Sequence, residues 1–179
     1  MKKALIIAGK DVEDREFFYS LYRLNEENYH IDVATKDGKN AAGKAGIPIK
    51  ANKSFDDIKV DDYDLLILPG GTYFTDKMRL EQKLLEFIKE WDDKNKIIGC
   101  ICHGPQLLIS ANVLDGRHVT AYWSIKDDII NAGGTYTREP FVIDKNIISA
   151  PHYDNLGEWM REVLRVFKER IHDKKSITV

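Results

Sequence analysis

Cys100 and Cys102 are the only cysteines in this chain of 179 residues, and a single residue separates them. Neighbours this close cannot build an ordinary disulfide framework, and no second pair exists to complete a zinc site. The histidines lack metal-ligand spacing as well, so no metal centre is expected. Long hydrophobic runs are missing too. The amino-terminal run, Ala4 to Ala8, is too short for a signal peptide, and no segment approaches the ~20 apolar residues that span a bilayer. We therefore expect a cytoplasmic protein with no membrane partner. Excess charge of one sign is absent: 27 Lys and Arg stand against 29 Asp and Glu, a net charge of −2. With no basic run or basic-aromatic stripe, nothing favours a nucleic-acid partner. No repeat, linker or low-complexity tract divides the chain, and its length suits one domain over residues 1–179.

What the chain does contain is an alternation of strand and helix patterns. Lys3 to Ala8 reads as a strand, Glu13 to Asn28 as a helix and His30 to Ala34 as a second strand. The Gly- and Lys-rich stretch from Lys36 to Lys50 reads as a loop with a short hairpin at a sheet edge. After the apolar strand Leu65 to Leu68, residues Leu80, Leu84, Phe87, Ile88 and Trp91 fall at helical spacing and predict one apolar stripe against the sheet. Strand Ile97 to Cys102, the helix after Pro105, helix Ile125 to Ala132 and strands Phe141 to Ile143 and Ile147 to Ser149 follow. A last helix carries Leu156, Trp159, Met160, Val163, Leu164 and Phe167 on one side. This order predicts a parallel sheet in a three-layer, doubly wound, flavodoxin-like α/β sandwich.

The junction from Lys96 to Gln106 is the most informative segment. An apolar strand runs through Ile97, Ile98 and Ile101, stops at Cys102, and gives way to the helix-start chemistry of Gly104-Pro105. A sharp strand-to-helix turn presents its apex side chain, and the following helix would stabilise a thiolate there, below the ~8.5 of a free cysteine. Cys102 is the candidate nucleophile, whereas Cys100 reads as a core residue. The turn has the form of a nucleophile elbow, whose backbone donors can hold a developing oxyanion.

Cys102-His103-Gly104-Pro105 after a β-branched strand resembles the signature of the PfpI/ThiJ family of intracellular cysteine hydrolases and glyoxalase-like enzymes. The opening Lys3 to Ala8 with Val12-Glu13-Asp14 resembles that family's first strand and the loop presenting a glutamate to the cysteine. Asp64 to Gly71 resembles its strand with a glycine oxyanion loop, and Ile125 to Gly133 a further segment; the similarity runs from Lys3 to about Phe167. The resemblance implies a fold of the class I glutamine amidotransferase-like kind. It makes Glu13 the carboxyl beside Cys102 and His103 the usual base. It also implies that Gly70 and Gly71, with the His103 amide, form the oxyanion hole, and that Tyr122 and Trp123 line the pocket. In PfpI-type oligomers an acid after the Gly-Gly loop reaches the histidine from a neighbouring subunit. Asp76 is the candidate here, in a loop about one residue longer than the family pattern, and as a first-turn helix acid it has an equally ordinary reading. If that arrangement holds, the active unit is a homo-oligomer, at least a dimer. His152 with Asp154 is the rival, since amidotransferase-type glutaminases pair an elbow cysteine with a late His-x-acid motif.

These residues together predict a cysteine-dependent enzyme that needs no cofactor. Its expected substrates are small electrophilic carbonyls, in the manner of glyoxalase or deglycase repair of methylglyoxal and its adducts on modified protein. A PfpI-type peptidase acting on unfolded protein is the alternative within the family. From another class comes a redox sensor or stress-response binding protein that uses Cys102 oxidation.

Overall fold

Runs of consecutive apolar residues, buried on both faces, make the centre of a parallel sheet. The computed structural model describes residues 2–176, with side chains to residue 171; residues 1 and 177–179 of the expected domain lie outside them. In chain order the strands are β1 (Lys3–Ile7), β2 (His30–Thr35), β3 (Ala41–Ala42), β4 (Pro48–Ile49), β5 (Lys53–Ser54), β6 (Leu65–Leu68), β7 (Ile97–Ile101), β8 (His118–Val119), β9 (Thr135–Tyr136), β10 (Val142–Asp144) and β11 (Ile147–Ala150). The helices are α1 (Asp14–Glu26), α2 (Thr72–Met78), α3 (Gln82–Asp93), α4 (Pro105–Ser110), α5 (Lys126–Asn131) and α6 (Leu156–Ser176). The main sheet has seven strands in the order β10-β11-β7-β6-β1-β2-β5. Every neighbouring pair is parallel except the β10–β11 hairpin. Helices α1 and α6 touch each other, while α4 is packed against α2, α3 and α5, completing the flavodoxin-like α/β sandwich.

From β1 the chain moves outward to β2 and β5, then crosses back so that β6 lies on the other side of β1. That reversal is the switch point of a doubly wound sheet, and it opens a crevice at the carboxyl ends of β1, β6 and β7. The loops that follow these three strands carry Glu13, Gly70-Gly71 and Cys102.

The two large tryptophans show how burial is reconciled with polarity. Trp91 on α3 donates its indole N–H to the Ile97 carbonyl (3.0 Å), and Trp159 on α6 donates to that of Ile148 (2.9 Å). Each ring therefore fills the core and also satisfies an otherwise costly donor.

Two local expectations need correction. Leu80 is not part of the buried stripe: it is 73% exposed, in the link between α2 and α3, and the stripe proper is Leu84, Phe87, Ile88 and Trp91. The Lys36 to Lys50 hairpin, β3 against β4, forms its own small sheet and does not extend the main one. It folds over the loop after β1 instead, where the Asp11 amide donates to the Ala42 carbonyl and the Lys44 amide to that of Val12, both at 2.9 Å. The true edge strand, β5, has two residues and so no periodicity for a sequence reading to find. Among the described residues no helix is long and apolar enough to cross a membrane.

Candidate active site

At the end of β7 the backbone of Cys102 turns into the left-handed region, φ +60°. For a residue with a Cβ this conformation costs about 1–2 kcal/mol. It persists because both sides of the residue are tied down: the Cys102 amide donates to the Ala150 carbonyl, and the Tyr122 amide donates to the Cys102 carbonyl, each at 2.9 Å. Gly104 closes the turn by donating to the Ile101 carbonyl (2.8 Å). A Cβ on Gly104 would stand 2.3 Å from the Leu68 carbonyl oxygen, backbone that cannot move aside. Gly104→Ala is therefore expected to destabilise the protein by roughly 3 kcal/mol, read as a lower urea midpoint.

Glu13 does not occupy the place beside the sulfur. Its carboxylate lies at the cleft rim, bound to Arg15 at 2.7 Å. One helical turn later, Glu16 enters the site fully buried. The Gly70 amide donates to its Oε2 (2.6 Å), and Oε1 has no hydrogen-bond partner among the described residues. The Cys102 thiol adjoins the same carboxyl, and Gly70 is wedged against both: a Cβ there would lie 2.8 Å from Cys102 Cβ and 2.9 Å from Glu16 Oε2. Burial raises the Glu16 pKa to about 8, opposed by the Gly70 amide and the thiol. The carboxyl thus keeps its proton at neutral pH. A signal for Glu16 exists in the sequence, because it shares the buried side of α1 with Phe17, Ser20 and Leu24. An acid on an apolar face needs a reason to be there.

The thiol itself departs from the sequence expectation. Burial pushes Cys102 above the ordinary cysteine range, and the neighbouring glutamates add to the rise; the His103 amide alone pulls it down. The physical reason is that Cys102 is only 7% exposed and that α4 has six residues, too short for a large dipole. Cys100, wholly enclosed in β7, is pushed up as well. In its resting state Cys102 is a protonated thiol.

His103 lies against the thiol. Its Nδ1 is 3.3 Å from Cys102 Sγ, and its Nε2 lies 3.4 Å from Ser124 Oγ. Burial lowers its pKa, so the ring is neutral and free to accept. Tyr122 stacks on it at 4.8 Å between ring centroids, and Trp123 stacks on Tyr122 at 3.9 Å. His152, Tyr153 and Arg15 continue this wall, with the Arg15 guanidinium 3.3 Å above the Tyr153 ring.

The resulting cleft has a volume of about 280 Å³. Gly71, Cys102, His103, Tyr122 and His152 all face it, as do Glu13 and Lys44. His152 holds its Nδ1 3.0 Å from Asp154, and it is His103 that meets the sulfur. Trp123 lines an adjoining cleft with His152 instead. Asp76 belongs to neither: it is exposed on α2 beside Lys77. Phe74 and Thr75 are the residues of α2 that turn inward, and the Thr75 hydroxyl donates to the Gly71 carbonyl (3.0 Å).

Fold and site together define a doubly wound α/β protein with a cysteine at a strained strand-to-helix elbow, backed by a protonated carboxyl and a histidine. The chain belongs to the DJ-1/PfpI family, whose profile matches residues 2–166. It is 38% identical over 166 residues to Deglycase PfpI of Pyrococcus furiosus, covering 93% of this chain and 99% of that protein. General stress protein 18 of Bacillus subtilis is 32% identical over 171 residues, covering 94% of this chain and 99% of that protein. Among solved structures, a protein from Anabaena variabilis with DJ-1/ThiJ/PfpI-like and ferritin-like domains matches with a TM-score of 0.90 at 28% identity. That match covers 94% of this chain and 48% of the two-domain protein, so the chain spans about half its length.

Proposed function

We propose that the protein is a cofactor-independent cysteine enzyme acting on small electrophilic carbonyls, methylglyoxal and its adducts being the type substrates. The observation that carries this reading is the cleft of about 280 Å³ with Cys102 at its floor. That volume sits at the small end for ligand sites and suits a few-carbon aldehyde better than an extended peptide. The name of the Pyrococcus relative, a deglycase, supports the same chemistry.

With methylglyoxal, Cys102 Sγ adds to the aldehyde carbon as its proton passes to His103 Nδ1. A sulfur–carbon bond forms, and the carbonyl oxygen becomes an alkoxide facing the amides of Gly71 and His103, where it takes up a proton as the hemithioacetal. Removal of the proton from C1 and its return at C2 converts this to a lactoyl thioester without net oxidation. Water then adds, the sulfur–carbon bond breaks, and lactate leaves with the thiol restored. His103 and Glu16 are the groups within reach to move these protons. The test is lactate formation from methylglyoxal by the purified protein without glutathione. Absence of lactate, with cleavage of an unfolded protein instead, would favour the peptidase alternative.

The active unit in this reading is a homo-oligomer, at least a dimer, with Asp76 of a second copy approaching His103 Nε2. The exposure of Asp76, outside its own cleft, fits such a role. Asp76→Ala is then expected to lower kcat/KM about tenfold or more, measured beside the oligomer mass by light scattering. Full activity in the variant would remove Asp76 from the mechanism. A cytoplasmic location accords with two cysteines that are both unpaired.

A further inference from the structure

Of the charged groups that line the cleft, one has no ion-pair partner among the described residues. Glu13 and Arg15 neutralise each other at 2.7 Å, Glu16 keeps its proton at neutral pH, and burial holds His103 neutral. His152 is tied to Asp154 at 3.0 Å. Lys44 remains: it lines the cleft with Cys102, and no carboxylate pairs with it among the described residues. Its charge is felt inside, where it disfavours the protonated form of His103.

Lys44 is also held in place by backbone and not left on a loose loop. The Ala45 amide donates to Asp14 Oδ2 (2.6 Å), the Lys44 amide to the Val12 carbonyl (2.9 Å) and the Gly46 amide to that of Gly43 (2.8 Å). Asp14 is buried for this purpose, and a Cβ on Gly43 would collide with its Oδ1 at 2.0 Å. The β3–β4 hairpin is thereby anchored over the elbow loop, and the exposed Lys44 side chain lines the open mouth of the cleft.

We infer that Lys44 is a specificity-determining residue that selects electrophiles carrying a carboxylate next to the reacting carbon over neutral ones of the same size. This rests on the proposed role of Cys102 in attacking carbonyls and adds the class of substrate. Lys44 and Cys102 line one cleft of about 280 Å³, so an electrophile at the sulfur brings its carboxylate near the ammonium. In a water-like dielectric, one unit charge about 4 Å away changes the encounter with an anion by roughly fivefold.

Two alkylating probes of similar size test this without relying on turnover. Iodoacetate and iodoacetamide react identically: the Cys102 sulfur–carbon bond forms, the carbon–iodine bond breaks, iodide leaves and the thiol proton is lost. The ratio of their rate constants at Cys102, read by peptide mass and normalised to a free thiol, reports the local potential. Lys44→Gln is expected to lower the iodoacetate-to-iodoacetamide ratio about fivefold, and Lys44→Glu to lower it further. An unchanged ratio in both variants overturns the inference.

A second arm measures protection of Cys102 from iodoacetamide by glyoxylate and by acetaldehyde. Half-protection by glyoxylate should require about fivefold more aldehyde in Lys44→Gln, with acetaldehyde unaffected; equal shifts for both overturn the inference. Protection by neither aldehyde, with the alkylation ratio still falling in Lys44→Gln, upholds anion selection by Lys44 and instead defeats the carbonyl reading.

Discussion

Cys102→Ser is expected to lose lactate formation from methylglyoxal by about 10⁴-fold or more while keeping its fold. The proposed reaction begins with a sulfur–carbon bond, and a serine hydroxyl in the same place has a far higher pKa and no activating partner besides a neutral His103 at 3.3 Å from the present sulfur. The two side chains are close in size, and the backbone ties from Ala150 and to Tyr122 do not involve Sγ. The melting temperature should therefore move by only a few degrees. Wild type and variant are to be purified identically and compared by lactate assay and circular dichroism. Turnover surviving in the variant would show that the chemistry lies elsewhere or in a contaminant.

Glu16→Gln should reverse part of the dependence of stability on pH. In the unfolded chain Glu16 ionises near the ordinary glutamate value of 4.5, whereas in the folded protein it holds its proton to about 8. Between these values the folded state binds more protons than the unfolded state, so stability falls as pH rises. Below the window both states are protonated and nothing is lost; above it both are ionised and the full loss is present. The shift corresponds to at most roughly 5 kcal/mol. A neutral glutamine cannot ionise, so urea unfolding at pH 5, 6.5, 8 and 9 should show the variant gaining on the wild type across that window and running parallel outside it. Parallel curves throughout would mean that Glu16 is already ionised at pH 5 in the folded protein.

Activity should move the other way. Without an exchangeable carboxyl proton beside the sulfur, turnover in Glu16→Gln is expected to fall about 10²-fold at neutral pH. A variant that is more stable at pH 8 and less active would identify the buried carboxyl as a group kept at a cost for its chemistry.

The helix acid also shows where a sequence reading stops. Residues 13 and 16 lie one turn apart on α1, and both are carboxylates near the end of β1. Which one reaches the sulfur depends on the roll of the helix against the sheet, a quantity set by how Phe17 and Leu24 pack. The burial of Cys102 is similar in kind. A sharp turn after Ile101 is legible from Gly104-Pro105, but the raised thiol pKa comes from the surrounding walls, which belong to distant parts of the chain. Lys44 was invisible as a site residue because a Gly- and Lys-rich hairpin has the composition of an exposed loop. Its seat over the elbow depends on Asp14, some thirty residues earlier in the chain.

By itself the sequence determined the alternation of strands and helices, the parallel order of the sheet and the cysteine at its switch point. These follow from local periodicity, turn chemistry and the handedness of crossovers, which act over a few residues or one connection. Only the tertiary structure decided that Glu16 and not Glu13 backs the sulfur, that the thiol rests protonated, and that Lys44 lines the cleft. Each of these depends on burial and on charges brought together from separate segments, and desolvation is a property of the packed whole.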